Sequence, residues 1–547
     1  MIDTAAARKA RGAFFTPTAL CEYVARWAVR SADEVVLEPS CGDAEFLLAA
    51  NTQLRELGGV GHLRGAELHA DSARHALVRL AGVGRDDVAI DVGDFFRLTP
   101  TRDVTALVGN PPYVRYQTHA GDDRTASREA ALRAGVALSG LASSWAAFTV
   151  HAAEFLAPGG RMGLVLPAEL LSTNYASGVR RYLMERFASV GLIVFEERVF
   201  PAVQEEVVLL LADGFRQGPT DHCVLRQVRT VDDLATGGVD TSWRPADPAG
   251  KWTASLLSPL SLHAYTTVMA SDRWTTLSTW GDTTLGAVTG NNKYFTMPTS
   301  RAAMLGLEPR ELLRISPPGS AHLRGLEFTT SALNQLDREG KATRLFRPAA
   351  SPSVAGETYI TAGEATAVDQ AYKCRVRSPW WRVPVLKAPD LFLTYMNADS
   401  PRLCANRARV RHINSVHGVY LADEYRTLGL DYLPLAAINS MTLLAAETVG
   451  RAYGGGMLKL EPREADVLPV PAPALVAEHA VELKQLAALV GPQLRGQALT
   501  DIAKLVDEIL LVKGLGLKRT DVAALREQQA ALHVRRQTRA KAAPSGD

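Results

Sequence analysis

Cysteine is scarce in this chain of 547 residues: five occur, Cys21, Cys41, Cys223, Cys374 and Cys404, none at CxxC spacing. That excludes a disulfide scaffold and a zinc ribbon, and it suits a reducing cytoplasm. Long apolar runs are also missing, since none approaches the roughly 18 residues a membrane-crossing helix needs. Met1 to Gly12 is polar and basic, without the apolar segment of a secretory leader. The expected setting is therefore cytoplasmic, with no membrane partner. His412 and His417 have no metal-ligand partners at useful spacing, so no metal site is expected. Internal repeats and low-complexity tracts are absent. With 47% hydrophobic and 22% charged residues, wholesale disorder is excluded.

A large net charge is lacking as well, at +2 overall, but its distribution is uneven. Met1 to Val150 carries 16 Lys/Arg against 18 Asp/Glu, a net of −2, whereas Ala371 to His412 carries 9 against 2, a net of +7. A short basic block in a near-neutral chain is either a polyanion-facing surface or a solvated basic face.

The first 215 or so residues alternate short apolar strands with helical stretches. Strands are expected at Val35–Leu37, His62–Glu67, Val88–Val92, Ala106–Gly109 and Arg161–Leu166, with a final pair at Val190–Phe195 and Val207–Ala212. Helices are expected at Ala44–Leu57, Ala70–Leu80, Ser144–Leu156 and Asn174–Phe187. That alternation implies an α/β doubly wound, mostly parallel sheet, its last two strands forming an antiparallel edge. Gly, Thr, Asp and a Gly-Pro pair between Gly214 and Gly238 read as a linker. Residues 239–473 read as a mixed α+β, loop-rich domain. Residues 474–547 read as a helical end, with helices at Leu475–Val490, Leu499–Val512 and Arg519–Arg539.

The strongest local signal is Asn110-Pro111-Pro112-Tyr113, directly after the Ala106–Gly109 strand. An aromatic or amide nitrogen is a poor nucleophile because its lone pair is delocalised. The Asn110 amide oxygen and the Pro111 carbonyl can accept both hydrogens of an NH₂ group and direct its lone pair at an electrophile. The prolines stiffen the loop, and Tyr113 offers a ring for a planar base. The bland alternative is a proline turn with Tyr113 half buried. Upstream, Glu38-Pro39-Ser40-Cys41-Gly42-Asp43-Ala44-Glu45-Phe46 reads as a strand end, a tight turn and a helix start, where small residues let a cofactor approach the backbone. Glu67 ends the next strand, at a place where a carboxylate typically accepts from ribose hydroxyls. Asp94-Phe95 ends the third and could bind and stack on adenine, although a lone phenylalanine is more often core. The turn is not GxGxxG, which argues against a dinucleotide dehydrogenase.

In this order the motifs resemble those of the gamma-class adenine-N6 DNA methyltransferases of type II restriction–modification systems, the Taq-like group. Gly12-Ala13-Phe14-Phe15-Thr16-Pro17 matches motif X, Glu38 to Phe46 motif I, Glu67 motif II, Asp94-Phe95 motif III and Asn110 to Tyr113 motif IV. Val199-Phe200-Pro201 followed by Val207 to Leu211 looks like motif VIII. Gly290 to Phe295 and Tyr453 to Lys459 look like parts of the target recognition region. Ala44 departs from the pattern, standing where many members have glycine. A negative φ there would let its methyl be tolerated.

The resemblance implies S-adenosyl-L-methionine as methyl donor, a Rossmann-like catalytic sheet in residues 1–238 and direct transfer without a covalent enzyme intermediate. Phe15, Thr16 and Pro17 would lie near the methionine end of the cofactor. Glu38, Glu67 and Asp94 would contact its amino, ribose and adenine parts, with Pro39, Cys41 and Gly42 in the turn and Phe95 on the purine. Cys41 is read as a small turn residue, and the Pro-Cys dipeptide of cytosine-C5 enzymes is absent. The target adenine would be flipped out of double-stranded DNA. Tyr113 and Phe200 would sandwich it, and Asn110 with Pro111 would hold N6, with Pro112 bracing the loop.

DNA affinity and sequence choice would come from residues 239–473, with Lys293, Tyr294, Arg375, Arg377, Arg407, Arg409, Arg411 and Lys459 as DNA-facing candidates. For Trp380-Trp381, packing is favoured for at least one ring. A monomer is expected, with a separate cognate restriction endonuclease as functional rather than physical partner. The motif match begins close to Met1 and no PD…ExK pattern is evident in the helical end, so no nuclease domain or cleavage is expected. Two rival readings stand beside this one: methylation of RNA or of a protein glutamine amide, and an inactive DNA-binding specificity or scaffold subunit.

Overall fold

The structure, a computed structural model, describes residues 16–114, 121–140, 142–197, 199–200, 206–245, 247–491, 494 and 499–541. The chain divides into two compact units, Met1–Leu256 and Leu257–Asp547.

The first unit is built on a nine-stranded sheet. In chain order its elements are α1 (Thr18–Ala28), β1 (Val35–Glu38), α2 (Glu45–Glu56), β2 (His62–Glu67), α3 (Ala70–Ala81), β3 (Ala89–Val92), β4 (Val104–Gly109), α4 (Gly121–Arg133), α5 (Ser144–Ala153), β5 (Leu156–Pro167), α6 (Ser177–Arg186), β6 (Phe187–Phe195), β7 (Val207–Phe215), β8 (Cys223–Val228) and β9 (Thr241–Trp243). The strand order is β3-β2-β1-β4-β5-β7-β6-β8-β9. Strands β3 to β5 pair in parallel, whereas β7 runs antiparallel to both β5 and β6. Central strands in such sheets are covered on both faces, so they read as unbroken apolar runs. Met162, Leu164, Val165 and Leu166 of β5 are fully buried.

Three sequence expectations are corrected. The antiparallel strand is not an edge, because the sheet continues past β6 through β8 and β9. The Gly214–Gly238 stretch is not a free linker. Cys223 and Leu225 alternate inward along β8, so a polar, glycine-rich segment still supplies a half-buried strand. The helix expected to reach Leu156 ends at Ala153, and β5 begins before the Pro158-Gly159-Gly160 run. A register irregularity against β4, between Val104 and Ala106, takes up the misfit.

The parallel register puts every ligand-facing strand end on one side. Glu38 pairs with Gly65, Glu67 with Val92, and Leu37 with Leu107 two residues before Gly109. Helix α1 packs over the middle of the sheet, where a Cβ built on Gly163 would lie 2.6 Å from Val24 Cγ1.

In the second unit a four-stranded antiparallel sheet runs in the order Gly281–Leu285, Val416–Leu421, Leu391–Thr394 and Leu403–Ala405. The terminal helices belong to this unit. Ala480–Val490, Leu499–Asp507 and Arg519–Lys541 follow the sequence periodicity, with a π-helical turn at Glu508–Gly514. Buried ion pairs fasten them: Asp507 accepts from Ser440 and Arg526, and Arg536 pairs with Glu447. Among the described residues no single helix is long and apolar enough to cross a membrane.

The close approach at Gly163 yields a test. Gly163→Ala should destabilise the protein by about 1–3 kcal/mol through overpacking against Val24, read as a lowered thermal midpoint. An unchanged midpoint would contradict the packing.

Candidate active site

The turn after β1 has to pass from the sheet into α2 within six residues, Pro39 to Ala44, and it does so through two left-handed positions. Gly42 has φ +47, and Ala44 has φ 62 and ψ 30. A side chain at Gly42 would meet nothing within 4 Å, so the space beside the turn is open. Glu67, at the end of β2, ties the turn in place. Its Oε2 accepts from the Gly42 N–H at 2.9 Å and its Oε1 from the His69 N–H at 2.9 Å. The Cys41 N–H donates to Ala66 O at 2.9 Å. The negative φ expected at Ala44 is not found. Its methyl is fully buried in a conformation that costs an alanine about 1–2 kcal/mol.

Glu38 is 3% exposed at the floor of the turn, with Oε2 accepting from the Leu47 N–H at 3.1 Å. Burial pushes its carboxyl well above the usual range, and the nearby Glu67 and Glu45 add to the rise. Burial, with Glu38 and Glu67 beside it, likewise raises the Cys41 thiol, which therefore stays protonated and is no nucleophile.

The loop after β4 lies against this turn. A Cβ on Gly109 would be 3.6 Å from Pro39 Cδ and 3.7 Å from Glu38 Cγ, and Ser40 Oγ donates to the Asn110 carbonyl at 3.3 Å. The Asn110 amide is held at both ends. Its Nδ2 donates to Thr16 Oγ1 at 3.1 Å, and its Oδ1 accepts from the Tyr113 hydroxyl at 2.6 Å. The same hydroxyl lies 2.9 Å from the Val165 carbonyl of β5. One proton thus has two acceptors within reach, so Asn110 Oδ1 can be released without stranding the hydroxyl. Tyr113 is half buried at the margin of an apolar cluster that contains Phe200. Phe200 itself is 6% exposed. Pro201 and Phe15 lie outside the described residues.

Beyond β3, Asp94 caps a short turn through Oδ1, which accepts from the Phe96 N–H at 3.0 Å. Its Oδ2 is buried with no hydrogen-bond partner, and Arg97 Nε is 3.5 Å away. Phe95 is packed in an aromatic cluster, stacked on Phe155 at 5.0 Å with Phe148 and His151 alongside.

The DNA-facing candidates of the second unit scatter. Lys293, Arg375 and Arg409 are exposed and make no ion pair among the described residues. Tyr294 is core: it stacks on Tyr359 at 4.6 Å, its hydroxyl donates to Tyr359 O, and the Tyr359 hydroxyl donates back to Tyr294 O. Its apolar neighbours outcompete any outward role. Arg377 turns inward to the Thr289 carbonyl and over the Phe295 ring. Arg407 pairs with both Glu327 and Asp431. Lys459 pairs with Glu461 and lies over the Tyr395 and Tyr453 rings. Sequence reading passed over Arg347. Arg347 Nε donates to Val383 O at 2.8 Å and Arg411 Nε to Leu386 O at 3.1 Å, so both guanidinium groups rest on one segment beside Arg382. Burial, with Arg382 and Arg411 nearby, holds the Arg347 pKa below its usual value. Sequence reading also passed over Ser143 and Ser144, which hold the Asn110 loop from behind. Serines at a helix start read simply as caps.

Residues 2–226 match the N-6 DNA Methylase family, and residues 249–511 match the type II methyltransferase M.Eco57I C-terminal domain. The N-terminal part is thus an N-6 DNA methylase domain, followed by a type II methyltransferase C-terminal domain. It is 26% identical over 486 residues to the type II methyltransferase M.XamI of Xanthomonas campestris pv. amaranthicola, covering 84% of this chain and 85% of that one. It is 23% identical over 468 residues to the type II methyltransferase M.AccI of Acinetobacter calcoaceticus, covering 84% of each. The fold is similar to that of the type IIL restriction-modification enzyme MmeI, solved in complex with DNA, with a TM-score of 0.53 at 11% identity, over 93% of this chain and 73% of that one. The cofactor is S-adenosyl-L-methionine, the methyl donor of this family. The site fits it: the open turn at Gly42 and the buried Glu38 carboxyl follow β1, and the Asp94 carboxylate, whose Oδ2 has Arg97 beside it and no hydrogen bond among the described residues, follows β3 at the same end of the parallel strands.

Two outcomes follow for the turn. Ala44→Gly should raise stability by about 0.5–1 kcal/mol, read by urea unfolding, because relief of the left-handed strain exceeds the lost methyl burial. A loss of stability would contradict the strained geometry. For Glu38, the raised folded pKa means its contribution is present below the unfolded value and lost as pH rises through the folded one. Glu38→Gln should therefore raise the thermal midpoint at neutral and alkaline pH and not below about pH 4. An equal shift at every pH would rule out the buried carboxyl as its source.

Proposed function

We propose that this methylase transfers a methyl group from S-adenosyl-L-methionine to the N6 amino group of an adenine in a specific double-stranded DNA sequence, as a gamma-class enzyme. The observation that carries the proposal is the Asn110 amide, held by Thr16 and Tyr113 beside the open Gly42 turn. The bound cofactor supplies a methyl carbon made electrophilic by a positive sulfur. Everything else falls to the chain. Glu38, Glu67 and Asp94 hold the amino, ribose and adenine parts, Thr16 and Pro17 border the methionine end, and Pro39, Cys41, Gly42 and Phe95 shape the walls. Phe95 does so from within its aromatic cluster, stacked on Phe155 and tilted against Phe148.

The incoming amine displaces the Tyr113 hydroxyl from Asn110 Oδ1, and that hydroxyl turns to the Val165 carbonyl. Asn110 Oδ1 and the Pro111 carbonyl then accept the two N–H groups. Binding both hydrogens pulls the nitrogen lone pair out of conjugation and aims it along one direction. Pro111 and Pro112 keep the two acceptors from drifting. Tyr113 and Phe200 close on the faces of the flipped base, for which Phe200 has to emerge from its buried position.

In the second unit, Arg347, Arg382 and Arg411 together with exposed Lys293, Arg375 and Arg409 have no carboxylate partner among the described residues. Cations so placed serve phosphates. Arg377, Arg407 and Lys459 shape the surface rather than contact DNA freely, since each already has a partner. The enzyme acts as a monomer, and a separate endonuclease reading the same sequence is its functional counterpart in a restriction–modification or phage-defence system.

Radiolabelled methyl groups offered with duplex DNA, RNA or protein should enter the duplex alone. Incorporation into RNA or protein without DNA would refute the assignment. Asn110→Ala should lower turnover by at least about a hundredfold, the scale of losing a placed electrostatic acceptor, with DNA affinity kept within a few-fold. An active variant would remove the acceptor role.

A further inference from the structure

The Asn110 loop cannot hold itself. Pro111 and Pro112 have no N–H, so two consecutive positions donate nothing to a turn of their own. Yet the mechanism needs the Pro111 carbonyl fixed and free. Two buried serines at the start of α5 resolve this. Ser144 Oγ donates to the Pro112 carbonyl at 2.5 Å and accepts from the Val114 N–H at 2.9 Å. The Ser144 N–H and Ser143 Oγ both donate to the Val114 carbonyl, at 3.0 and 2.9 Å. Pro112 and Val114 are thereby fastened on either side of Tyr113, while no hydrogen bond among the described residues engages the Pro111 carbonyl.

These serines are not ordinary helix caps. Ser143 stands at the N-cap of α5, where a serine side chain usually accepts from the first turn of its own helix, but it makes no such bond. Both hydroxyls face the loop instead. The post they stand on is rigid. All ten residues of α5 are buried, and Trp145, fully enclosed, donates its Nε1–H to the Tyr175 hydroxyl at 2.9 Å. The clasp also brings Val114 and Ser143 together across the intervening residues 115–142. The loop is thus fixed at the root of that excursion, independently of what the excursion does.

We propose that Ser144 is a positioning residue for methyl transfer: its hydroxyl, by bridging Pro112 O and Val114 N, sets the Asn110-Pro111 acceptors at the geometry the amine requires. Ser143 is its redundant companion, because the Val114 carbonyl keeps the Ser144 N–H when Ser143 Oγ is lost. The inference rests on the methyl-transfer reading above, and a fixed loop matters because a misplacement of about 1 Å can cost on the order of a hundredfold in rate.

The test compares Ser144→Ala, Ser144→Thr and Ser143→Ala with the full-length wild type. Ser144→Ala should lower kcat on duplex DNA roughly ten- to a hundredfold. KM for DNA and cofactor affinity should stay within about threefold, since neither contact is removed. Ser144→Thr, which keeps the hydroxyl, should recover most of kcat, and Ser143→Ala should stay close to wild type. Hydrogen exchange over residues 106–114 supplies a readout that needs no activity. The Val114 amide should be protected in wild type and in Ser144→Thr, and should exchange faster in Ser144→Ala. Wild-type kcat in Ser144→Ala, or unchanged exchange there, would overturn the clasp. So would a parallel loss of kcat, cofactor affinity and thermal stability, because that marks general damage. Failure of the wild type itself to methylate DNA would count against the proposed function, and the exchange result would still decide the clasp.

Discussion

The proposed methyl transfer depends on one side-chain amide kept in one orientation. An asparagine amide can flip, exchanging an acceptor for a donor at almost no steric cost. At Asn110 a flip would turn an NH₂ toward an amine and repel it. Thr16 on one side and Tyr113 on the other engage both ends of the amide in that orientation, and the Val165 carbonyl offers the Tyr113 proton a second acceptor. The parallel sheet matters because it brings residues 16, 38, 67, 94, 110 and 165 to one place from separate stretches of sequence.

Much of that was legible in the chain. The alternation of apolar strands and helices gave the parallel half of the sheet, since strands buried on both faces announce themselves as Val-Val-Leu or Leu-Val-Leu runs. What the sequence hid was whatever depends on a partner distant in the chain. The glycine-rich stretch around Cys223 reads as a linker until β6 is seen beside it. Tyr294 reads as an exposed aromatic in a polar segment until Tyr359 covers it. At the site, the residue types of the turn and the loop were readable from spacing. The left-handed Ala44, the hydroxyl partners of Asn110 and the serines behind the loop were not, because φ angles and cross-chain hydrogen bonds leave no periodic trace.

The site is held against local preference in two places. Ala44 adopts a conformation that suits glycine, and Glu38 is a carboxylate enclosed where its charge is disfavoured. Strain and buried charge persist only where the surroundings over-determine them, and they gather where geometry serves chemistry. Here the surroundings are the Glu67 clamp on the turn and the apolar cluster beneath it. The second unit shows the complementary pattern. Its terminal helices are fastened by buried ion pairs, and Arg347 and Arg411 rest on the segment that carries Arg382, with no carboxylate partner for the three among the described residues.

A crystal structure of the chain with a duplex containing its target sequence and a non-reactive analogue of the methyl donor would test the central claim most directly. The expected result is an adenine outside the stack, its N6 within hydrogen-bond reach of Asn110 Oδ1 and the Pro111 carbonyl, and the Tyr113 hydroxyl moved to the Val165 carbonyl. An extruded base with its amine elsewhere, while Tyr113 still donates to Asn110, would contradict it.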